Sequence, residues 1–541
     1  MKRFSPVVMC LVLSLTLSLS TVYGVSDKMD GESLGIAYKT GIISREQYVI
    51  SLIDSYFAKR KKGVVTKSLE TVDSGLSLTM LLKEAVQNYM FYSDESRVIV
   101  DRFLLRPNVF YNNWPWNSHI DFYLPATVTT FKPTLEDYPH IGGRYTFWYV
   151  THSTPDSGGH VHTVTPSFVT AVVQAFETSY AAIVDDMGFV GPLSDSGFFD
   201  NGGDGTRDIY LMNCGFDGVY GYTMPLSDDS TCPSYMVLDN DFEEFATPSL
   251  TSEQAMQVTV AHEFHHSVQF SINSYADIWI MEATSCWMES KVYPGVDDNL
   301  QYLNGSNGYF AMPDVSLDSD VQWYNSWIFL EYMTLMWGDQ TVADLWDNLL
   351  NSGDGMEAVS SVLTSVVSDL KTAFTDFVSK NYSQTGFYPD AVDYDEVRIS
   401  NNQGQILDYS SDRSHAITPI IAKVDHLAAA YYKYIPGDAL EGEKLLVDVY
   451  GQDGADVQAA LTVKQTDGSY IEKTFTLNEN NDGFMYVDDF SASSVDEVVV
   501  QLINYSTTED DAEMIVSGGL GYKSAMDDGG DGGCFIDTVL N

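Results

Sequence analysis

The chain has little positive charge. Against 76 acidic residues stand 28 lysines and arginines, a formal net charge of −48 in 541 residues. A balance so one-sided argues against nucleic acid or anionic membrane as a partner, since both would be repelled, and favours solubility and divalent cations. Cysteine is also scarce, five in all, too few for a disulfide-dense scaffold. The apolar run Val7 to Leu19 falls short of the ~20 residues that a membrane-spanning helix needs. It follows Met1-Lys2-Arg3 and precedes Val22-Tyr23-Gly24. A basic front, a short apolar core and a small-residue exit read as a secretory signal over residues 1–24, which predicts an exported, extracellular protein without a stable membrane span. Cys10 leaves with that signal, so Cys214, Cys232, Cys286 and Cys534 remain in an oxidising compartment. Cys214 and Cys232 bracket a Gly- and Asp-rich stretch and are the expected disulfide.

What is present centres on Ala261-His262-Glu263-Phe264-His265-His266-Ser267. In a helix, His262 and His266 stand one turn apart on a single face and can share one metal ion. Glu263 is then placed to take a proton from water at that ion. Helical context is supplied by a capping box at Thr251 and Gln254 and by apolar residues from Ala255 to Ala261. Two histidines hold zinc weakly, so a third ligand is required. Glu282, in Trp279-Ile280-Met281-Glu282-Ala283-Thr284-Ser285-Cys286-Trp287-Met288-Glu289, is an acid inside an apolar helix, where a carboxylate is costly without a cation. Glu289 lies two turns further along and could accept the second N–H of a ligand histidine, fixing its tautomer.

These residues carry a resemblance. His262-Glu263-x-x-His266, then Glu282 and Glu289, is similar to the pattern of gluzincins, the group that holds thermolysin-like peptidases and, in this Glu-then-Glu spacing, zinc aminopeptidases. The runs HEFHHSVQF, WIMEATSCWMES and YNSWIFLEYM, with NGGDGTRDIYLMN, YGYT and VLDNDF upstream, resemble a family of secreted bacterial proteins read as metalloproteases, over roughly Arg144 to Glu331. The resemblance implies a zincin-like α+β catalytic domain, Zn²⁺ as cofactor, a protein or peptide substrate, and endopeptidase action. It also implies an oxyanion-stabilising Tyr or His from the helical lower half, and Tyr324 stands in that position. Cys286 occupies the place where thermolysin-like enzymes keep an Asp.

The remaining chain divides by texture. Residues 25–112 read as mostly helical and contain the basic run Lys59-Arg60-Lys61-Lys62. They form either a pro-segment that covers the cleft as the protein's own inhibitor, or a permanent subdomain. The catalytic stretch, 113–400, opens with the strand Arg144–Val150, then a Thr165-Pro166 helix start, and closes with helices at Trp327–Leu330, Val342–Leu350, Met356–Leu363 and Ser368–Ser379. His160 and His162 lie in a Gly-rich loop. Asp200, Asp204 and Asp208, and again Asp239 and Asp241, are spaced either to wrap a Ca²⁺ ion or to make plain acidic turns. From 401 to 525 short apolar runs at Lys444–Tyr450, Ala459–Lys464, Glu472–Thr476 and Glu497–Asn504, separated by turn residues, predict a β-sandwich-like domain. The Gly/Asp-rich tail, 526–541, resembles the glycine-then-CFI tails of some exported bacterial proteins. Two other functions remain open at this level: a zinc hydrolase of a non-peptide substrate, and a secreted binding or adhesion protein on a decayed peptidase scaffold.

Overall fold

The computed structural model describes residues 31–58, 77–104, 106–107, 129–152, 161–198, 201–214, 218–400, 419–437 and 442–520. The expected signal segment, the run Lys59–Lys62, His160, Asp200, Cys534 and the 526–541 tail lie outside the described residues. The fold is mixed α+β, as expected. It falls into two compact units, residues 1–181 with 191–274, and residues 182–190 with 275–541. The division thus comes between Ser274 and Tyr275, inside the 113–400 stretch. No shift of composition marks it, because an apolar helix lies on either side.

Among the described residues the first unit begins with four helices, α1 (Gly31–Lys39), α2 (Arg45–Ala58), α3 (Leu78–Asn88) and α4 (Asp94–Phe103). Serine hydroxyls start two of them: Ser77 Oγ accepts the Met80 amide at 3.0 Å and Ser93 Oγ the Ser96 amide at 3.2 Å. Arg45 forks onto both oxygens of Glu84 at 2.7 and 2.6 Å, tying α2 to α3 over a core of Val49, Ile53, Leu81 and Ala85. A five-stranded sheet follows, β1 (Thr129–Phe131), β2 (Tyr145–Tyr149), β3 (Arg207–Leu211), β4 (Gly221–Pro225) and β5 (Ser234–Leu238), in spatial order β1-β2-β3-β5-β4. β2, β3 and β5 are parallel, and β1 and β4 are antiparallel edges. Both faces of the central strands are buried, so β3 ends in the apolar run Ile209-Tyr210-Leu211 and β5 reads Tyr235-Met236-Val237-Leu238 without alternation. Between β2 and β3 runs α5 (Pro166–Tyr180), with Thr165 Oγ1 accepting the Phe168 amide and Pro166 opening the first turn, as the sequence predicts. The helix continues in a π-turn to Asp186, and this stretch is long and apolar enough to cross a membrane by length and composition, with half of it buried. The unit closes with α6 (Ser252–Asn273), which packs beside the edge strand β4.

The second unit begins with α7 (Ile278–Val292), α8 (Trp327–Trp337), α9 (Gln340–Ser352), α10 (Gly355–Ser365) and α11 (Leu370–Ser383). Eight strands follow: β6 (Ile420–Val424), β7 (Ala428–Tyr434), β8 (Leu445–Gly451), β9 (Val457–Gln465), β10 (Tyr470–Thr474), β11 (Asp482–Val487), β12 (Val495–Asn504) and β13 (Ala512–Leu520). They form two antiparallel sheets, β10-β9-β12-β7 and β11-β8-β13-β6, whose facing side chains make one core of Leu461, Val498, Val500, Val447 and Met514 among others. The outer face of the first sheet is buried too, because α11 lies on it. Tyr431 donates its hydroxyl to the Val378 carbonyl at 2.9 Å, and Lys380 pairs with Glu472 at 2.6 Å. That is why β12 reads Val-Val-Val-Gln-Leu-Ile instead of alternating.

Candidate metal centre

The capping box expected at the head of α6 is present. Thr251 Oγ1 accepts the Gln254 amide at 3.2 Å and Gln254 Oε1 accepts the Thr251 amide at 3.0 Å. With that phase, His262 and His266 share a face, their Nε2 atoms 3.0 Å apart and both residues buried. Two nitrogens bound to one tetrahedral zinc at ~2.0–2.1 Å would stand about 3.3 Å apart, so the observed pair fits such an ion closely. Gln269 orients the second ring. Its side-chain N–H group is directed at His265 Nδ1 (2.9 Å), which leaves its carbonyl to accept the proton of His266 Nδ1 (2.7 Å). The lone pair of His266 therefore lies on Nε2, the atom facing His262. Burial pushes the His265 imidazole well below its usual range, with His266 and His262 adding to the effect.

Glu263, one residue on from His262, is also buried. Its Oε2 accepts the hydroxyl of Thr223, in β4, at 2.7 Å and that of Thr79, in α3, at 3.1 Å. Thr79 Oγ1 in turn accepts the backbone N–H of Thr223 at 3.0 Å, so its own hydrogen is left for the carboxylate. Sequence reasoning did not reach Thr79, Thr223 or Gln269. Thr223 ends the YGYT run and Gln269 follows His266 by one helical turn, whereas Thr79 carried no visible signal.

In the second unit, Glu282, Cys286 and Glu289 line one face of α7, all at 3 % exposure or less. Trp279, Ile280, Met281, Ala283, Trp287 and Met288 are buried along the same helix, so the Glu282 carboxylate sits in the apolar setting that demands a compensating charge. Tyr324, ahead of α8, is half-buried and stacks on Tyr302 with ring centroids 4.9 Å apart. Buried histidine, glutamate and cysteine side chains that could hold a metal ion are thus present.

The acidic loops are held by other partners. Asp204 pairs with Lys132 and accepts the Thr206 amide at 2.8 Å. Asp208 is buried, where it pairs with Arg106 and accepts Trp148 Nε1–H at 2.6 Å. Burial pushes its carboxyl up to about 7 against the pull of Arg106. Gly202 lies so close that a Cβ there would meet Asp208 Oδ2 at 2.0 Å, and its φ of +67° also favours glycine. Arg106 reaches Asp195 as well, at 2.6 Å. Asp239 accepts the Cys214 amide at 2.8 Å and the Phe242 amide at 2.8 Å. With Asp241 and Glu244 it offers oxygen atoms within 4.8 Å of one another. His162 Nδ1 accepts the Asn213 amide at 3.1 Å.

One expectation fails outright: Cys214 and Cys232 are separate buried thiols. Cys214 follows the C-terminal end of β3 and Cys232 precedes the N-terminal end of the parallel β5, so the two lie at opposite ends of the sheet. A disulfide needs Cα atoms within ~7 Å. The Gly-x-Ser-x-Gly run Gly31-Glu32-Ser33-Leu34-Gly35 lies wholly within helix α1, whereas a nucleophilic serine of that motif sits on a sharp turn.

A model of a family of unknown function, DUF6055, matches residues 245–419. That stretch contains α6, α7 and the helices up to α11. No curated protein matches the chain. Among solved structures, the pre-peptidase C-terminal domain of a collagenase from Bacillus anthracis is 12% identical, with a TM-score of 0.15, over 19% of this chain and 87% of that one. A family GH115 4-O-methyl-α-glucuronidase with specificity for decorated arabinogalactans is 8% identical, with a TM-score of 0.14, over 63% of this chain and 54% of that one. Likeness at that level carries no argument about fold or function.

Proposed function

We propose that the chain is a secreted zinc-dependent peptidase of gluzincin type. The observation that carries this reading is the buried pair of imidazole nitrogens, 3.0 Å apart on α6, with Gln269 holding the His266 tautomer and Glu263 next in sequence. His262, His266 and Glu282 would hold the ion, and Glu289 would orient a ligand. Bound there, zinc would supply Lewis acidity toward a carbonyl and toward water.

The protein's own residues do the rest. Glu263 takes the proton of the attacking water and passes it to the departing amine, a role suited to a carboxylate held in place. Thr223, by donating to Oε2 from a rigid strand, fixes the direction from which that carboxylate works. Tyr324 is proposed to steady the developing oxyanion.

Glu263→Gln should retain about one zinc per chain and lose cleavage of casein by at least ~10²-fold, the scale at which a general base contributes. His262→Ala should lose the zinc. Metal analysis beside a casein digest separates the two effects, and a Glu263→Gln protein that still cleaves at the wild-type rate would rule the base out.

A further inference from the structure

We infer that helix α3 is an internal inhibitor that occupies the catalytic edge of the first unit. The inference rests on the peptidase reading above and adds its regulation. β4 is the last strand of its sheet, and an edge strand presents outward N–H and C=O groups that an extended chain can join. The outward donor beside Glu263 is the N–H of Thr223, and it is already taken: Thr79 Oγ1 accepts it at 3.0 Å. The same oxygen stands 3.1 Å from Glu263 Oε2 and donates to it. One hydroxyl thus fills the place of a substrate carbonyl on the edge strand and that of the attacking water on the base.

The placement is built in. Ser77 caps the helix just ahead of Thr79, so that this first turn is ordered. At the other end of α3, Gln87 Nε2 donates to the Ser274 carbonyl at 2.6 Å, where α6 finishes. Between them Met80, Leu81, Leu82 and Ala85 are fully buried, so α3 leaves this edge as a whole or not at all. A substrate chain cannot reach Thr223 and Glu263 while Thr79 is there; release of α3 is the activating step.

The test uses the mature full-length chain loaded with zinc, as wild type, Thr79→Asp and Thr79→Ala. A carboxylate at 79 faces that of Glu263 and should expel the helix, whereas alanine removes the hydroxyl with one methyl group and should leave the fold intact. Two quantities are read: hydrogen exchange of residues 221–225, and the affinity of dansyl-leucine hydroxamate, a metal-directed probe that needs no turnover. The Thr223 amide should be protected in the wild type. Thr79→Asp should speed its exchange at least tenfold and bind the probe at least tenfold more tightly, and Thr79→Ala should shift both in the same direction by a smaller factor. Equal probe affinity in all three proteins, with faster exchange in the variants, would overturn the inhibitor. If Thr79→Asp does not fold, Thr79→Ala decides by the same two readings. Zinc missing from every protein would overturn the peptidase reading instead, and exchange at Thr223, which needs no metal, would still show whether α3 covers that edge.

Discussion

Gln269 has no charge and belongs to no motif, yet two imidazoles depend on it. Its carbonyl can accept from His266 only while its amide is spent on His265. Replacing it with leucine keeps a similar volume and removes the acceptor, so His266 loses the bond that keeps its Nε2 lone pair toward His262. Losses of this kind weaken metal binding by roughly 10–100-fold. Gln269→Leu should show that drop in a zinc titration against a chromophoric chelator, with the helical circular dichroism unchanged. Unaltered affinity would mean that His266 is held by something else. The pairing of His262 with His266, and Glu263 beside them, were legible in the sequence because a one-turn spacing on a capped helix leaves them no other arrangement. Glu282 was legible as an acid in an apolar helix. Thr79 and Thr223 were not, since they lie 184 and 40 residues from Glu263 and a lone threonine gives no pattern.

At the level of elements, the turn after β6, the loop after β12 and the segment ahead of α8 meet at His426. Its Nε2 bonds Asp318 at 2.8 Å and its Nδ1 bonds Asp510. The bond to Asp318 raises its pKa from 6.5 to about 9, against the opposing effect of burial. A folded pKa above the unfolded one means that the stabilisation is complete below about 6.5 and is lost as pH rises through about 9. Asp510 is held below the carboxylate range by the same contact and does not titrate in that window, whereas Asp208 and Cys232, pushed up to about 7 and about 12, add losses of their own there. In urea unfolding the His426 contact should therefore account for a loss of about 1–2 kcal/mol between pH 6.5 and 9.5, once solvent screening of a half-exposed pair is allowed for. His426→Gln should make that slope shallower by this amount, and a slope equal to that of the wild type would place the titrating group elsewhere. None of this joint was visible beforehand. The helices were, because their apolar spacing and caps are local, and so were strands β8, β9, β10 and β12. β7 escaped because Ala-Ala-Ala-Tyr-Tyr lacks both alternation and branched residues, and β13 because its Gly518 and Gly519 read as turn.

For the molecule as a whole the governing quantity is charge. With 28 bases against 76 acids, even complete pairing would leave 48 carboxylates facing one another. The few cations are committed at particular places, Arg106 to Asp195 and Asp208, Lys380 to Glu472, Lys132 to Asp204 and Arg398 to Asp314. Salt acts on these two populations in opposite directions. Exposed pairs such as Lys132–Asp204 contribute at most ~1 kcal/mol each and are weakened by screening. Buried pairs such as Arg106–Asp208 are hardly screened. Repulsion among the surplus acids extends over ~30 Å at 0.01 M ionic strength but only ~3 Å at 1 M, and it opposes the compact state throughout. Because surplus acids outnumber exposed pairs, relief of repulsion should win. Raising sodium chloride from 10 mM to 500 mM at pH 7 is expected to lift the melting temperature by a few degrees, by differential scanning calorimetry. A melting temperature that falls over this range would show that specific ion pairs, and not net charge, set the electrostatic stability of this protein.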